Sequence, residues 1–252
     1  LNNSFPKITI IIATYNSEKT IKHCLESCLS QNYSNKELII ADAKSTDGTM
    51  KIIKEFNSPD LVFFSEHDNG IYDAWNKAIK ISKGDWICFI GSDDFWIFDD
   101  SITKLVKKID NEKTNFVSAK VKVYNASKKS FFVIGNKWNY KKLSNNINIA
   151  HPGSLHRIDL IKKYNLFDSK YIIAGDHDFL IRSGKDINAN FLDLEIIQML
   201  DSGISNTKPV LAFYESFKAI SKSNDFGMLK GIIFFVKSLL KFSIRRFIWK
   251  KK

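Results

Sequence analysis

Two adjacent carboxylates at the end of an apolar run are the residues of this sequence best suited to chemistry. Residues 84–96 are GDWICFIGSDDFW, so Asp93 and Asp94 directly follow that run. The run is typical of a strand buried on both faces of a parallel sheet, and ligands bind beyond the carboxyl ends of such strands. Neighbouring carboxylates repel each other unless a cation or hydrogen-bond donors lie between them, and their oxygens suit Mg²⁺ or Mn²⁺ held together with phosphates. The alternative is a helix N-cap at Asp94 or Asp99.

Two further carboxylates lie at the ends of other predicted strands. The segments 8–13, 38–41 and 61–64 are apolar, and each is followed by apolar residues at helical spacing. This alternation predicts βαβ units and a parallel sheet. Asp42 ends the second of these strands and Asp68 follows the third. Three acidic loops at one edge of a sheet favour a ligand site over three separate caps, because like charges gathered there need a positive or hydrogen-bonding partner.

The pattern changes after residues 111–115. Residues 116–124 alternate, which predicts a half-exposed strand paired with 130–134, and the polar, aromatic stretch 137–148 predicts a mobile loop. A strand over 191–200 and a helix opened by Pro209 follow. We therefore expect an α/β domain over 1–222, divided into halves 1–112 and 113–222, and then a helix over 223–252.

The net charge of +11 belongs mainly to that last helix. Residues 228–252 contain eight basic side chains and no acidic one, which leaves +3 for the rest of the chain and argues against a nucleic-acid partner. On a helical projection two groups separate, the basic Lys230, Lys237, Lys241 and Arg245 and the apolar Leu229, Ile232, Val236, Leu239, Leu240 and Phe247, with Phe234 and Ile248 interrupting the basic side. Such a helix fits an anionic membrane interface, and the alternative is an ordinary helix docked on the body.

Cysteine usage and hydropathy indicate the compartment. Three cysteines without a Cys-x-x-Cys pair favour buried, reduced thiols. There is no signal-peptide pattern and no apolar stretch of the ~18 residues needed to span a bilayer. We expect a cytoplasmic protein, peripheral on the inner face of the cell membrane, and the sequence indicates no oligomeric state.

Five segments together resemble the family 2 glycosyltransferases, inverting enzymes with the GT-A fold, and are most similar to the small bacterial enzymes of polysaccharide and O-antigen assembly. The segments, in the order and spacing of the family, are IIATYN (11–16), IIADAKSTDGT (39–49), DNGIYDAWNKA (68–78), GDWICFIGSDD (84–94) and AGDHDFLIR (174–182). The resemblance implies a mainly parallel sheet flanked by helices, a nucleotide-sugar donor with UDP favoured, Mg²⁺ or Mn²⁺, and a glycan acceptor that we expect to be lipid-linked.

The resemblance also assigns roles to single residues. Asp176 would be the catalytic base and Asp93 the metal ligand, while Arg182 would hold Asp176 or a phosphate. Independently of the resemblance, His151 could contact the metal or the acceptor, and the alternative is that it satisfies a local hydrogen bond. The residues that would line the nucleotide pocket are Thr14, Tyr15, Asn16, Asp42, Asn69, Gly70, Asn76, Ser92 and Asp94. The chain departs from the family pattern at Gly91, which replaces the first Asp of Asp-x-Asp, and at Gly175, where the family often has Glu.

The chemistry itself requires two groups. A metal on the phosphates stabilises the charge of the leaving diphosphate, and a carboxylate takes the proton of the incoming hydroxyl. Asp178 is the rival base, and either aspartate could instead cap its helix. Two other classes stay open: a nucleotidyltransferase, which would not need Asp176, and a non-catalytic carbohydrate- or membrane-binding module.

Overall fold

The computed structural model describes residues 5–145, 149–201 and 203–250, with side chains described as far as residue 244. In the first part of the chain strands and helices alternate as the sequence predicts: β1 (Ile8–Thr14), α1 (Ile21–Leu29), β2 (Lys36–Asp42), α2 (Thr49–Glu55), β3 (Leu61–Ser65), α3 (Ile71–Ile81) and β4 (Trp86–Gly91). The later elements are β5 (Phe95–Trp96), α4 (Ser101–Val106), β6 (Phe116–Asn125), β7 (Ser130–Ile134), β8 (Leu155–Arg157), α5 (Ile158–Lys163), α6 (Gly175–Ser183), β9 (Ala189–Leu200), α7 (Ile204–Thr207), α8 (Pro209–Lys222) and α9 (Gly227–Lys250).

Within the described residues, nine strands form one sheet in the order β3-β2-β1-β4-β8-β6-β9-β5, with β7 paired to β6. The strands β3, β2, β1 and β4 are parallel, and Ala13 lies opposite both Ala41 and Gly91. Their carboxyl ends therefore meet at one edge. The predicted α/β fold with a mainly parallel sheet is confirmed.

Alternating residues of the strands feed two separate cores. In β1, Ile8, Ile10 and Ile12 pack with α1, α2 and α4, whereas Ile11 packs on the opposite face with α3, α5, α6 and α8. This follows from the two-residue repeat of a strand. Helices on both faces explain why the strands of the first half are continuous apolar runs.

Two burial predictions are wrong. The start of β6 is buried on both faces rather than half-exposed, since Phe116 and Val117 belong to different cores and the strand lies between β8 and β9 in the sheet. The helical spacing of Ile71 with residues 75, 78 and 79 predicts that Ile71 is buried, but Ile71 is exposed and the neighbouring Tyr72 is buried in its place. The predicted mobile loop contains a short 3₁₀ helix, Tyr140–Lys142, and its residues 146–148 lie outside the described part of the chain.

The last helix, α9, packs against α8 through a stripe that the sequence projection did not identify. Phe234, expected to interrupt the basic side, is buried, and Phe235 and Phe242 contact aromatic rings of α8. At Gly231 an added Cβ would lie 2.1 Å from the Ser221 hydroxyl and 3.2 Å from the Phe217 carbonyl oxygen, so a side chain there would force the Ser221 hydroxyl to move. Among residues whose side chains are described, a second apolar stripe stays exposed: Leu229, Ile232, Ile233, Val236, Leu240 and Ile244.

Leu239, expected on the exposed apolar side, is partly buried. The side chains of Arg245, Phe247 and Ile248 lie outside the described set. Among the described helices, none combines the length and the apolar character needed to cross a bilayer.

Candidate functional site

The loops that follow β1 and β2 are joined by hydrogen bonds. The Asn16 N–H donates to the Ser45 hydroxyl (2.8 Å), and the Asn16 side-chain oxygen accepts the Thr46 N–H (2.9 Å). The Ser17 N–H donates to the Thr49 hydroxyl (2.7 Å). Asn16 adopts φ +48°, which asparagine tolerates better than most residues. These bonds form a fixed floor at the edge of the sheet, and the Asn16 carboxamide is part of that floor.

A cleft of ≈470 Å³ opens at this edge, lined by Ala13, Thr14, Tyr15, Ala43, His67, Asp68, Gly70 and Ile71. Its volume falls in the range of small-ligand sites. The ring of Tyr15 is 60% exposed and provides a flat apolar surface there. Gly70 has φ +116°, a backbone conformation that favours glycine, although an added Cβ would meet nothing within 4 Å. The structure thus brings together Thr14, Tyr15 and Gly70 of the predicted nucleotide pocket.

Asp42 directly precedes Ala43 of the cleft lining and joins the ends of β2 and β3. Its carboxylate accepts hydrogen bonds from the Ser45 hydroxyl (2.5 Å), the Ser45 N–H (3.1 Å) and the Ser65 hydroxyl (2.5 Å). A carboxylate has about four acceptor positions. Three of these positions are filled, and the side chain is buried.

The two predicted asparagines of the α3 segment separate in the structure. Asn69 is exposed, and its N–H donates to the Asp73 carboxylate (3.0 Å). Asn76 instead pairs with the backbone of Phe167, donating to its carbonyl (2.7 Å) and accepting its N–H (3.1 Å). The Asn76 amide thus joins α3 to the segment before α6, and it is not among the residues that line the cleft.

The acidic pair follows β4 at the same edge. Asp94 is buried, and one of its oxygens accepts the Gly91 N–H (3.0 Å). Burial and the neighbouring Asp93 charge raise the pKa of Asp94 to about 7, and burial also raises the pKa of Asp93. Ser92 shares a hydrogen bond with Ser17 (2.9 Å).

This pair fits a divalent cation that is completed by a ligand. Over the described residues no basic side chain forms an ion pair with Asp93 or Asp94, and no group of three potential protein ligands comes together. A cation here would take its remaining ligands from phosphate and water, as Mg²⁺ commonly does. A Cβ at Gly91 would lie 2.7 Å from the Asp94 carboxylate and 3.0 Å from that of Asp93. Both contacts are with the ends of side chains, so a larger residue at position 91 would require the two carboxylates to move.

Asp176 is the second residue of α6. Its carboxylate accepts the His177 N–H (2.8 Å) and lies 3.3 Å from the Tyr72 hydroxyl, and Tyr72 directly follows Ile71 of the cleft. Burial raises the pKa of Asp176. A carboxyl group with a raised pKa and no cation beside it is suited to accept a proton.

Arg182 was expected to hold Asp176 or a phosphate, but it does not contact Asp176. Its guanidinium donates to Asp178 (2.7 Å) and to the carbonyls of Tyr164 and Leu166. Helical spacing favours this result, because residues 178 and 182 are four apart and residues 176 and 182 are six apart. The rival base Asp178 is therefore bound in an ion pair, and Asp176 is not.

His151 lies in the interior. Its ring stacks on Trp75 (5.3 Å between centroids) and on Phe89 (5.4 Å), and burial lowers its pKa to about 3. A neutral, stacked imidazole in the core is poorly placed to meet an acceptor, so the structure does not bring His151 to the predicted site.

Two residues near Asp176 were missed by the sequence analysis. They are Tyr72, whose hydroxyl approaches the carboxylate, and Glu215 of α8, which binds the backbone just before α6. Tyr72 lies within a segment already singled out, so its motif was a usable signal. Nothing in the local sequence around Glu215 indicates its partner.

A nucleotide-sized cleft and an acidic pair at the carboxyl edge of a parallel sheet define a nucleotide-binding α/β protein of the glycosyltransferase type. The sequence profile of glycosyl transferase family 2 matches residues 9–166, and the chain belongs to that family. The predicted family is confirmed.

Curated relatives agree with this assignment. The glycosyltransferase GlyA of Streptococcus pneumoniae serotype 4 is 31% identical over 167 residues, which are 65% of this chain and 23% of GlyA. This chain thus spans about a quarter of that relative. An Escherichia coli UDP-Glc:alpha-D-GlcNAc-diphosphoundecaprenol beta-1,3-glucosyltransferase, WfgD, is 28% identical over 206 residues and 80% of both chains.

Two solved structures share the fold. Staphylococcus aureus TarS 1–349 in complex with UDP-GlcNAc has a TM-score of 0.68 at 19% identity, covering 92% of this chain and 71% of TarS. The mannosyltransferase PcManGT of Pyrobaculum calidifontis, in complex with GDP-Man and Mn²⁺, has a TM-score of 0.63 at 17% identity, covering 86% of this chain and 65% of PcManGT.

Proposed function

We propose that this chain transfers a sugar from a UDP-sugar to a hydroxyl of a lipid-linked glycan, with inversion, in the biosynthesis of a cell-surface polysaccharide. The observation that carries the proposal is the carboxylate of Asp176, which has no ion-pair partner among the described residues and contacts Tyr72, the residue after Ile71 of the cleft. The substrates named for WfgD and the UDP-GlcNAc bound to TarS support the choice of donor and acceptor.

The donor nucleotide occupies the cleft in this proposal. The Tyr15 ring stacks on the base, and the Asp42 carboxylate accepts an N–H such as that of uracil. Thr14, Asn16 and Asn69 shape the rim, and Gly70 lets the backbone approach the ligand. Asn76 contributes indirectly by holding α3 against Phe167.

The diphosphate lies toward the acidic pair. Asp93 would hold Mg²⁺ or Mn²⁺, with Asp94 or Ser92 binding the ribose or a water of the ion. When bound, such an ion supplies the positive charge that stabilises the leaving diphosphate. The uncompensated charge of the pair is the structural reason for expecting a cation there.

Asp176 removes the proton from the acceptor hydroxyl as the oxygen attacks the anomeric carbon. Its raised pKa brings its proton affinity closer to that needed at neutral pH. Attack from the side opposite the diphosphate inverts the anomeric configuration. Asp178 is unsuited to this role because Arg182 holds it.

The exposed stripe of α9 lies in an anionic membrane surface in this proposal. Its apolar residues recur every three or four positions, which keeps them on one side of the helix. Lys230, Lys237 and Lys241 are exposed, and α9 contains no acidic residue. A helix with these properties concentrates an enzyme where a lipid-linked acceptor lies.

The test is a transfer assay with UDP-Glc, Mg²⁺ or Mn²⁺, and a short-chain lipid diphosphate carrying α-GlcNAc. We expect a β-linked product, read from the anomeric coupling in the proton NMR spectrum, and loss of transfer in Asp176→Asn. Asp178→Asn serves as the matched control on the same helix, with folding checked by circular dichroism. An α-linked product, or full activity of Asp176→Asn, would refute the mechanism. UDP-GlcNAc and GDP-Man in parallel reactions decide the donor.

A further inference from the structure

Glu215 is a buried carboxylate that binds three consecutive backbone amides. It lies on α8, is 4% exposed, and accepts the N–H groups of Ile172 (2.9 Å), Ile173 (2.8 Å) and Ala174 (2.9 Å). Among the described side chains, no Lys, Arg or His pairs with it. Amide dipoles therefore balance its charge, an arrangement that is stable only if the three amides stay in place.

The amides belong to the segment that leads into Asp176. Ala174 precedes the first residue of α6 and has no side-chain cap, and Asp176 follows two residues later. On the opposite side the Tyr72 hydroxyl donates to the Ile173 carbonyl (2.6 Å). Both polar groups of the Ile173 backbone are thus held from outside, one by α8 and one by α3.

We propose that Glu215 is a positioning residue for the base of the transfer reaction. It holds residues 172–174 so that the Asp176 carboxylate keeps its contact with Tyr72 instead of moving with an unrestrained loop. This inference rests on the proposed function. It assigns a role in the active site to α8, which lies outside the residues matched by the family profile.

The three hydrogen bonds that Glu215 accepts predict graded effects of substitution. A glutamine keeps one acceptor oxygen, which can take two of the amides, but its NH₂ group faces the third N–H. An alanine removes all three hydrogen bonds and leaves the amides without a partner. If Glu215 acts by positioning Asp176, the kcat of Glu215→Gln should lie between that of the wild-type chain and that of Glu215→Ala.

The experiment measures kcat and KM for the UDP-Glc reaction described above. Displacement of a catalytic group by about 1 Å can cost roughly 10²-fold in rate. We expect kcat to fall on the order of 10²-fold in Glu215→Ala and about 10-fold in Glu215→Gln, with the donor KM changed less than about twofold. Ile220→Ala is the matched control, because Ile220 is buried on the same helix but makes no side-chain hydrogen bond to 172–174.

A pH profile separates positioning from simple destabilisation. Loss of the Glu215 charge, together with three unpaired amides near Asp176, favours ionised Asp176 and lowers its pKa. The base works ionised, so the acidic limb of kcat should move to lower pH in Glu215→Ala and stay in place in Ile220→Ala. The other titratable groups facing Asp176 are Tyr72 of α3 and His177 of α6, and both variants leave them unchanged.

Amide hydrogen exchange of residues 171–178 gives a readout that needs no substrate. Exchange should quicken in Glu215→Ala and Glu215→Gln but not in Ile220→Ala. Unchanged exchange, or a kcat loss in Ile220→Ala as large as that in Glu215→Ala, would overturn the proposal. Inactivity of the wild-type chain would instead count against the proposed function, and hydrogen exchange would still decide whether Glu215 holds the segment.

Discussion

The substitution Gly175→Ala tests how the base is held, because Gly175 lies directly against the Tyr72 ring. An added Cβ would lie 2.7 Å from Tyr72 Cε2, and ordinary contacts begin at 3.4 Å, so the ring would have to retreat by about 0.7 Å. Tyr72 is 3% exposed and packs edge-on against Trp75 and parallel to Phe167. The ring therefore has little room to retreat.

The expected cost has two parts. Overpacking of this kind destabilises a core by roughly 1–3 kcal/mol, which lowers the Tm of a chain this long by roughly 2–12 °C. The same shift moves the Tyr72 hydroxyl that touches Asp176 and Ile173, so kcat should fall roughly 10–100-fold.

A double-mutant cycle with Tyr72→Leu identifies the cause. Leucine removes the ring atoms that clash, so adding Gly175→Ala in that background should cost less than about 0.5 kcal/mol of unfolding free energy. Unfolding is measured by urea denaturation and activity by UDP release. Equal penalties in the two backgrounds would show that Tyr72 is not what excludes a side chain at residue 175.

Three further predictions concern the base, the core and the tail. Asp176→Asn should lower kcat roughly 10²–10⁴-fold, and it should abolish the acidic limb of the pH profile, whose pKa in the wild-type chain is raised by burial above that of an exposed aspartate. Glu37→Gln should lower the free energy of unfolding by roughly 1–2 kcal/mol at pH 7. Burial alone would raise the pKa of Glu37, but hydrogen bonds from the Thr9 hydroxyl and the Lys83 N–H hold the pKa below its usual value. The stability that this carboxylate contributes is lost as the pH falls through the lowered pKa, so urea denaturation at pH 7 and pH 3 should show the deficit shrinking in acid. Val236→Ser should weaken co-sedimentation with anionic phospholipid vesicles roughly tenfold, whereas Val62→Ser, at an equally exposed valine of β3, should leave it unchanged; equal binding of the two variants would contradict a membrane role for α9.

The sequence also indicated a membrane helix, but the structure divides its apolar residues differently. A projection treats the helix as having one apolar side. In the structure Gly231 and Phe234 dock on the body while Ile232 and Val236 stay exposed, so a single helix contains two apolar stripes. Which stripe docks depends on the surface of α8, and the sequence of α9 does not contain that information.

The order and spacing of residue types were enough to predict the mainly parallel sheet and the edge at which its acidic loops meet. These features depend on local sequence. Apolar residues that recur every two positions predict a strand and those that recur every three to four predict a helix, and the residue after a strand lies at the end of that strand. Which polar side chains already have hydrogen-bond partners became visible only in the folded chain. Arg182 forms an ion pair with Asp178, and Asn76 is hydrogen-bonded to the backbone of Phe167. Glu215 binds amides more than 40 residues away in the chain. A buried polar group needs a hydrogen-bond partner, and that partner is set by how distant elements pack. The local sequence pattern therefore does not predict it.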